Sequence, residues 1–221
     1  MAPLLLLAVA LSGPVGVALE DGDAPVPTNA DLRLVATAPT SLMVGQFLTV
    51  RTTVTARHRV TLCDRDVAIE IDSGHGFVEH VEAFQAVICL FGGNDLGPGR
   101  SFVAENLVGL EALHPPAGLD GAAWFNASAR FAFDRPGLYR IRARHGDAVS
   151  DVIVVEAVAP RGEDARLLAA LRQQPAVLSG FGVADDALRA EGERLLAAFG
   201  PRPLLQPFVR AIHPPGDDGS R

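Results

Sequence analysis

Between Asp31 and about Val158, apolar and polar residues alternate with a period of two, the signature of half-buried strands. The clearest stretch runs from Leu48 to Ala56. Leu48, Val50, Val54 and Ala56 fall on one face, and Thr49, Arg51, Thr53, Thr55 and Arg57 on the other. Val67, Ile69 and Ile71 alternate in the same way with Ala68, Glu70 and Asp72. Ser73-Gly74-His75-Gly76 reads as a turn, followed by apolar strand candidates at Phe77–Phe84 and Ala86–Phe91. Ser101–Val108 is a further candidate, and Glu111–Asn126, with Pro115-Pro116, reads as a long surface loop. Ala127, Ala129, Phe131 and Phe133 alternate with Ser128, Arg130, Ala132 and Asp134, and Tyr139, Ile141 and Ala143 with Arg140, Arg142 and Arg144. Val149–Val158 is a nearly continuous apolar run, as expected of a final strand buried on both faces or pinned between neighbours.

The period changes after Ala159-Pro160-Arg161-Gly162. Glu163 and Asp164 place acids in a first helical turn, followed by a Leu167, Leu168, Leu171 stripe. Asp185 is suited to cap a second helix, with Leu188, Leu195, Leu196 and Phe199 on one face and Gly200 at its end. Pro203 can open a short last helix toward Ile212. So few helical residues rarely fold alone; they need a surface on the strands or on another chain. The pattern predicts a mainly β chain: an antiparallel β-sandwich over 31–158 and a small two- to three-helix segment over 162–213. Residues 214–221 read as a tail.

Ahead of the strands, residues 1–18 are uncharged and rich in Leu, Ala and Val, with small residues at Gly16-Val17-Ala18. That reads as a secretory signal peptide lacking the usual basic start, with an uncleaved anchor as the alternative. Residues 19–30 are an acidic, Pro-rich lead-in. The expected location is therefore the periplasm or the extracellular space, with no stable membrane span once the signal is removed. There the only two cysteines, Cys63 and Cys89, are expected to pair, closing a loop worth about 3 kcal/mol. Two thiols alone do not close a zinc site.

With 19 Lys+Arg, all of them Arg, against 26 Asp+Glu, the net charge is -7. That balance disfavours nucleic-acid binding, which rests on neutralising phosphates. The hydrophobic share of 48% belongs to a globular chain, neither disordered nor fibrous.

Phe131-Ala-Phe-Asp-Arg-Pro-Gly-Leu-Tyr-Arg-Ile-Arg-Ala resembles the corner of immunoglobulin-like sandwiches, with Gly137 two residues before Tyr139. In that family the Tyr hydroxyl bonds back across the corner. The family's cysteine slot two residues after the Tyr holds Ile141, so any Cys63–Cys89 bridge lies elsewhere. Leu96-Gly-Pro-Gly-Arg-Ser is similar to a stretch of exported bacterial Ig-like modules. The resemblance covers about residues 31–158 and implies a fold, not an activity.

Four groups of residues are candidates for chemistry. His75, His80 and Glu82 are the densest set of metal-ligand types; His80 and Glu82 share a strand face and Glu79 points away. Two ligands are half a site, and a polar solvent face is the plainer reading. Arg140, Arg142 and Arg144 share the outward face of one strand, a candidate anion stripe unless Glu70, Asp72 or Asp151 pair with them across the sheet. Trp124 and Phe125 mark a candidate recognition loop. Asn126-Ala-Ser128 matches a glycosylation acceptor that matters only in a eukaryotic secretory pathway. No Gly-x-Ser-x-Gly, His-Glu-x-x-His or phosphate-loop motif occurs, and no cofactor is implied. The reading that follows is a non-enzymatic exported module making contacts with another envelope or secreted protein. A metal- or small-ligand-binding protein and a hydrolase with a dispersed constellation stay open beside it.

Overall fold

A computed structural model describes residues 31–62, 66–83, 94–112, 129–179 and 185–213. The signal-peptide candidate at 1–18, residues 19–30, both cysteines, the strand candidate at 86–91, Trp124, Phe125, the candidate glycosylation acceptor and residues 214–221 lie outside the described residues.

Among these residues one sheet takes the order β1 (Leu32–Thr37), β3 (Leu48–Ala56), β8 (Ser101–Val108). The other takes the order β2 (Ser41–Met43), β13 (Ile153–Val158), β11 (Gly137–His145), β5 (Ala68–Asp72), β6 (Val78–Glu79), with β12 (Ala148–Val149) folded onto β11. Two short pairs complete the strands, β4 (Val60–Leu62) with β7 (Asn94–Leu96) and β9 (Leu110–Ala112) with β10 (Ala129–Phe131). The chain is mainly β, an Ig-like sandwich followed by three C-terminal helices.

The alternation that predicts the strands also assigns their faces. Leu48, Val50, Val54 and Ala56 are buried in β3, opposite Leu34 in β1 and Ala104 in β8. Ile69, Ile141, Ala143 and Val155 line the second sheet's inner side, and all belong to one core. Burying apolar side chains of this size from both sheets is the dominant stabilising term, at about 25 cal/mol per Å².

At the corner, the Tyr139 hydroxyl donates to the Arg135 carbonyl at 3.0 Å, and the ring meets Phe133 edge-on. This is the back-bond that the immunoglobulin-like resemblance implies, and Gly137, at φ +149°, allows the turn. Ile141 is fully buried in the cysteine slot.

Four expectations need correction. The sheets are antiparallel except where β2 pairs in parallel with β13. After β1 the chain crosses to the second sheet and adds a strand alongside the last one, a long-range pairing that no local pattern encodes. Phe77–Phe84 is not one strand; only Val78–Glu79 pair with β5, and Glu82 forms an isolated bridge to Glu111. The loop expected from Glu111 begins later, since Leu110–Ala112 form β9. Of the two readings of Val149–Val158, a strand pinned between neighbours holds, with β13 lying between β2 and β11, and burial on both faces does not. The run breaks at Ser150–Val152, and in β13 Val154, Glu156 and Val158 face solvent.

The helices are α1 (Glu163–Gln173), α2 (Asp186–Phe199) and α3 (Gln206–Ile212), with 3-10 turns at Pro175–Leu178 and Pro203–Leu205. Leu167, Leu168 and Leu171 are buried, and Asp185 caps α2 by accepting from the Ala187 and Leu188 amides. Pro207 is tolerated because it stands in the first turn of α3, where its missing N–H has no intrahelical partner to lose. These helices dock on the sandwich. Gly45, at φ +83° between β2 and β3, presses against Leu168 so closely that a Cβ there would stand 2.4 Å from Leu168 Cδ1. Arg172 donates to the Asp134 carbonyl at 2.6 Å. Among the described residues no helix is long and apolar enough to cross a membrane.

Candidate functional site

The arginine stripe lies on the outer face of β11, and the β5 register decides its partners. Arg140 stands opposite Asp72 and Arg142 opposite Glu70. Arg142 Nε and Arg144 Nε donate to the two oxygens of Glu70 at 2.6 and 2.5 Å. Arg144 also reaches Glu79 at 2.8 Å, and Arg140 reaches Asp72 at 3.3 Å. Phe77 covers the row, with the Arg142 guanidinium 4.1 Å from its ring centroid. Glu70 and Asp72 are thereby buried although they stand at outward positions. Three guanidiniums meet three carboxylates, so their charge is engaged within the sheet. Asp72 Oδ1 also accepts the Gly74 and Gly76 amides at 2.7 and 2.9 Å, closing the β5–β6 turn. The Gly74 hydrogen bond first, then those from Gly76 and His75 and the charge of Arg140, hold its carboxyl below the usual range despite partial desolvation.

Beyond β6 the chain brings His80 and Glu82 together, as their shared parity predicts. The His80 Nε2 to Glu82 Oε2 distance is 2.9 Å, with side chains 4% and 11% exposed. Glu82 has a further task that the sequence does not advertise. Its oxygens accept the backbone amides of Gly109 and Leu110, both at 2.9 Å. One carboxylate thus joins the segment after β6 to the β8–β9 junction. The other ring nitrogen of His80, Nδ1, is buried and without a hydrogen-bond partner.

His80 lines a cleft of about 260 Å³ whose wall includes Ile71, His75, Val78, Phe131, Asp134 and Tyr139. Arg130 and Glu111, also in the wall, are paired at 2.6 Å, and that hydrogen bond holds the guanidinium above its ordinary value. Burial pushes the Tyr139 phenol up. His75 is exposed on the same cleft while Glu82 stands behind the His80 ring. Among the described residues no group of three or more His, Cys, Asp or Glu is placed to hold a metal ion.

A second feature carries no motif. On the outer face of the same sheet Leu138 is 66% exposed, Val154 49% and Val158 42%. Leu138 pairs with Glu156, which places Val154 and Val158 on its diagonals. These apolar side chains form one corner patch around Glu156, bordered by Arg140.

No protein-family model and no curated protein matches the chain. Among solved structures it is similar to a β-glucosidase from Listeria innocua in complex with isofagomine, at 15% identity and TM-score 0.37. That match covers 59% of this chain but only 16% of the other. A CARDB domain from Pyrococcus furiosus matches at 13% identity and TM-score 0.30, covering 58% of this chain and 94% of that one. A PKD domain of an M14-like peptidase from a Thermoplasmatales archaeon matches at 14% identity and TM-score 0.24, with coverage of 58% and 94%. At this level the likeness says nothing about activity.

Proposed function

We propose that the protein is an exported, non-enzymatic Ig-like module that contacts another envelope or secreted protein through the outer face of its larger sheet. The observation that carries this reading is the apolar corner of Leu138, Val154 and Val158. Outward strand positions are ordinarily polar, and a contiguous group of exposed apolar residues with a polar border has the anatomy of a recognition surface. The alternating pattern demands nothing apolar there, since the inner positions of β11 and β13 already supply Tyr139, Ile141, Val155 and Ala157 to the core. The fitting partner offers a complementary apolar surface with a basic group opposite Glu156.

The test is affinity capture from envelope and culture-supernatant fractions with the mature protein, in parallel with Leu138→Asp. Leu138 is exposed, so the substitution leaves the core intact, and a specific partner recovered by the wild-type chain is lost with the variant. Equal recovery by both, or no specific recovery, contradicts the reading.

A further inference from the structure

We propose that a cleft where the C-terminal helices meet the sandwich binds a small amphipathic carboxylate, its head group at Arg210 and its carbon body against Phe47, Leu107 and Pro207. The cleft, of about 430 Å³, is formed by the ends of β2 and β3, by Leu107 of β8 and by residues of α3 and the turn before it. It shares no lining residue with the corner of Leu138, Val154 and Val158.

The apolar part of the wall is fixed by the packing around it. A Cβ at Gly109 would stand 2.4 Å from the Phe47 ring, so the missing side chain is what lets that ring rest against the β8–β9 junction. Leu107 pairs with Thr49 and is 40% exposed at an outward position of β8. Such positions are ordinarily polar, yet Leu107 and Thr49 both line the cleft. Pro203, Pro207 and Ala211 complete the wall from the helical side. Proline and alanine have almost no side-chain freedom to lose on binding, and the volume lies within the range of small-molecule pockets.

The polar groups set the ligand's class. Arg210 is the only charged residue in the wall, and among the described residues its side chain has no partner. Nearby acids are already engaged: Asp164 with Arg202 at 3.2 Å, and Glu105 with Arg51 at 2.7 Å. A guanidinium stays charged at any working pH. Gln206 stands four residues before Arg210 on α3, hence on the same face. The Gln46 carboxamide oxygen accepts the Met43 amide at 3.1 Å, which leaves that side chain its N–H groups to donate. Ser41 and Thr49 add hydroxyls. The wall therefore offers donors and one positive charge but no carboxylate. One guanidinium matches one carboxylate bidentately, whereas an ammonium meets no counter-charge and a phosphate dianion lacks a second cation. A cation in the last turn of α3 also suits the helix dipole, an effect that does not compete with an anion in the cleft.

The experiment titrates the ¹⁵N-labelled full chain with phenylacetate, phenethyl alcohol and phenethylamine at neutral pH, following backbone amide shifts. Phenylacetate is expected to give saturable shifts at Phe47, Thr49, Leu107 and Arg210. The alcohol should bind at least about fivefold more weakly, and the amine more weakly still. Arg210→Gln should raise the phenylacetate Kd about fivefold or more and leave that of the alcohol unchanged, while Leu107→Ser should weaken both. Arg210 and Leu107 are exposed, so neither variant removes a core side chain. Equal affinity for phenylacetate and either uncharged or cationic analogue overturns the proposal. So does an unchanged phenylacetate Kd in Arg210→Gln, or the absence of saturable shifts at these residues at tens of millimolar.

Discussion

Thr52 occupies an inward position of β3, fully buried among Val50, Val54 and Ala104, and its hydroxyl has no hydrogen-bond partner. Valine has nearly the same shape without the polar atom, so Thr52→Val should stabilise the protein by about 1 kcal/mol, read as a higher midpoint in urea unfolding. Asp72 makes the opposite case. Its folded-state pKa is depressed, foremost by the Gly74 amide, so its contribution is present above the unfolded value of about 3.9 and is lost as pH falls through the lower folded value. Stability measured from neutral pH downward should drop below about pH 4, and Asp72→Asn should flatten that drop. An equally steep acid drop in the variant would assign it to other carboxylates, such as Asp95 beside Arg59. The two positions differ in how far the sequence exposes them. Thr52 breaks an otherwise apolar inward row, and parity alone marks it as buried. That Glu70 and Asp72 would be buried on an outward face is not legible, because the cover comes from Phe77 and the arginines of a strand about seventy residues away.

At the scale of elements, local periodicity carries most of the fold. β3, β5, β8 and β11 lie where alternation places them, the α2 cap follows from the position of Asp185, and the Tyr139 back-bond is the one the immunoglobulin-like resemblance implies. What stays hidden is pairing between distant segments: the parallel β2–β13 contact, the brevity of β6, and the task of Glu82 on amides twenty-seven and twenty-eight residues ahead of it. The corner patch is hidden for a different reason, since an apolar run such as Val152–Val155 reads as doubly buried, while Val152 and Val154 are exposed among the described residues. Helix packing yields a test with an unambiguous sign. Gly192 lies inside α2, where alanine would ordinarily add about 1 kcal/mol of helix propensity. Its missing Cβ is where the Phe208 ring of α3 sits, at 2.3 Å from the ideal position. Gly192→Ala should therefore destabilise by about 1–3 kcal/mol in chemical unfolding. A stabilised variant would mean that α3 does not pack against α2.

For the molecule as a whole, the helices extend the sandwich core, so Leu168, Leu204 and Phe208 belong to the same apolar cluster as Val54 and Ile141. The smaller sheet's outer face displays Val35, Val103 and Leu107 among Thr and charged residues, whereas the larger sheet places Leu138, Val154 and Val158 around Glu156 at one corner. The proposed contact surface is the larger-sheet corner, and the smaller sheet's outer face is the comparison surface. The most direct check places a photo-activatable cross-linking residue at Leu138 and, in a second variant, at Val103, each expressed in the producing cell and irradiated there. The account predicts a discrete protein adduct from position 138 and none from 103. Adducts of equal yield from both positions, or from neither, would contradict it.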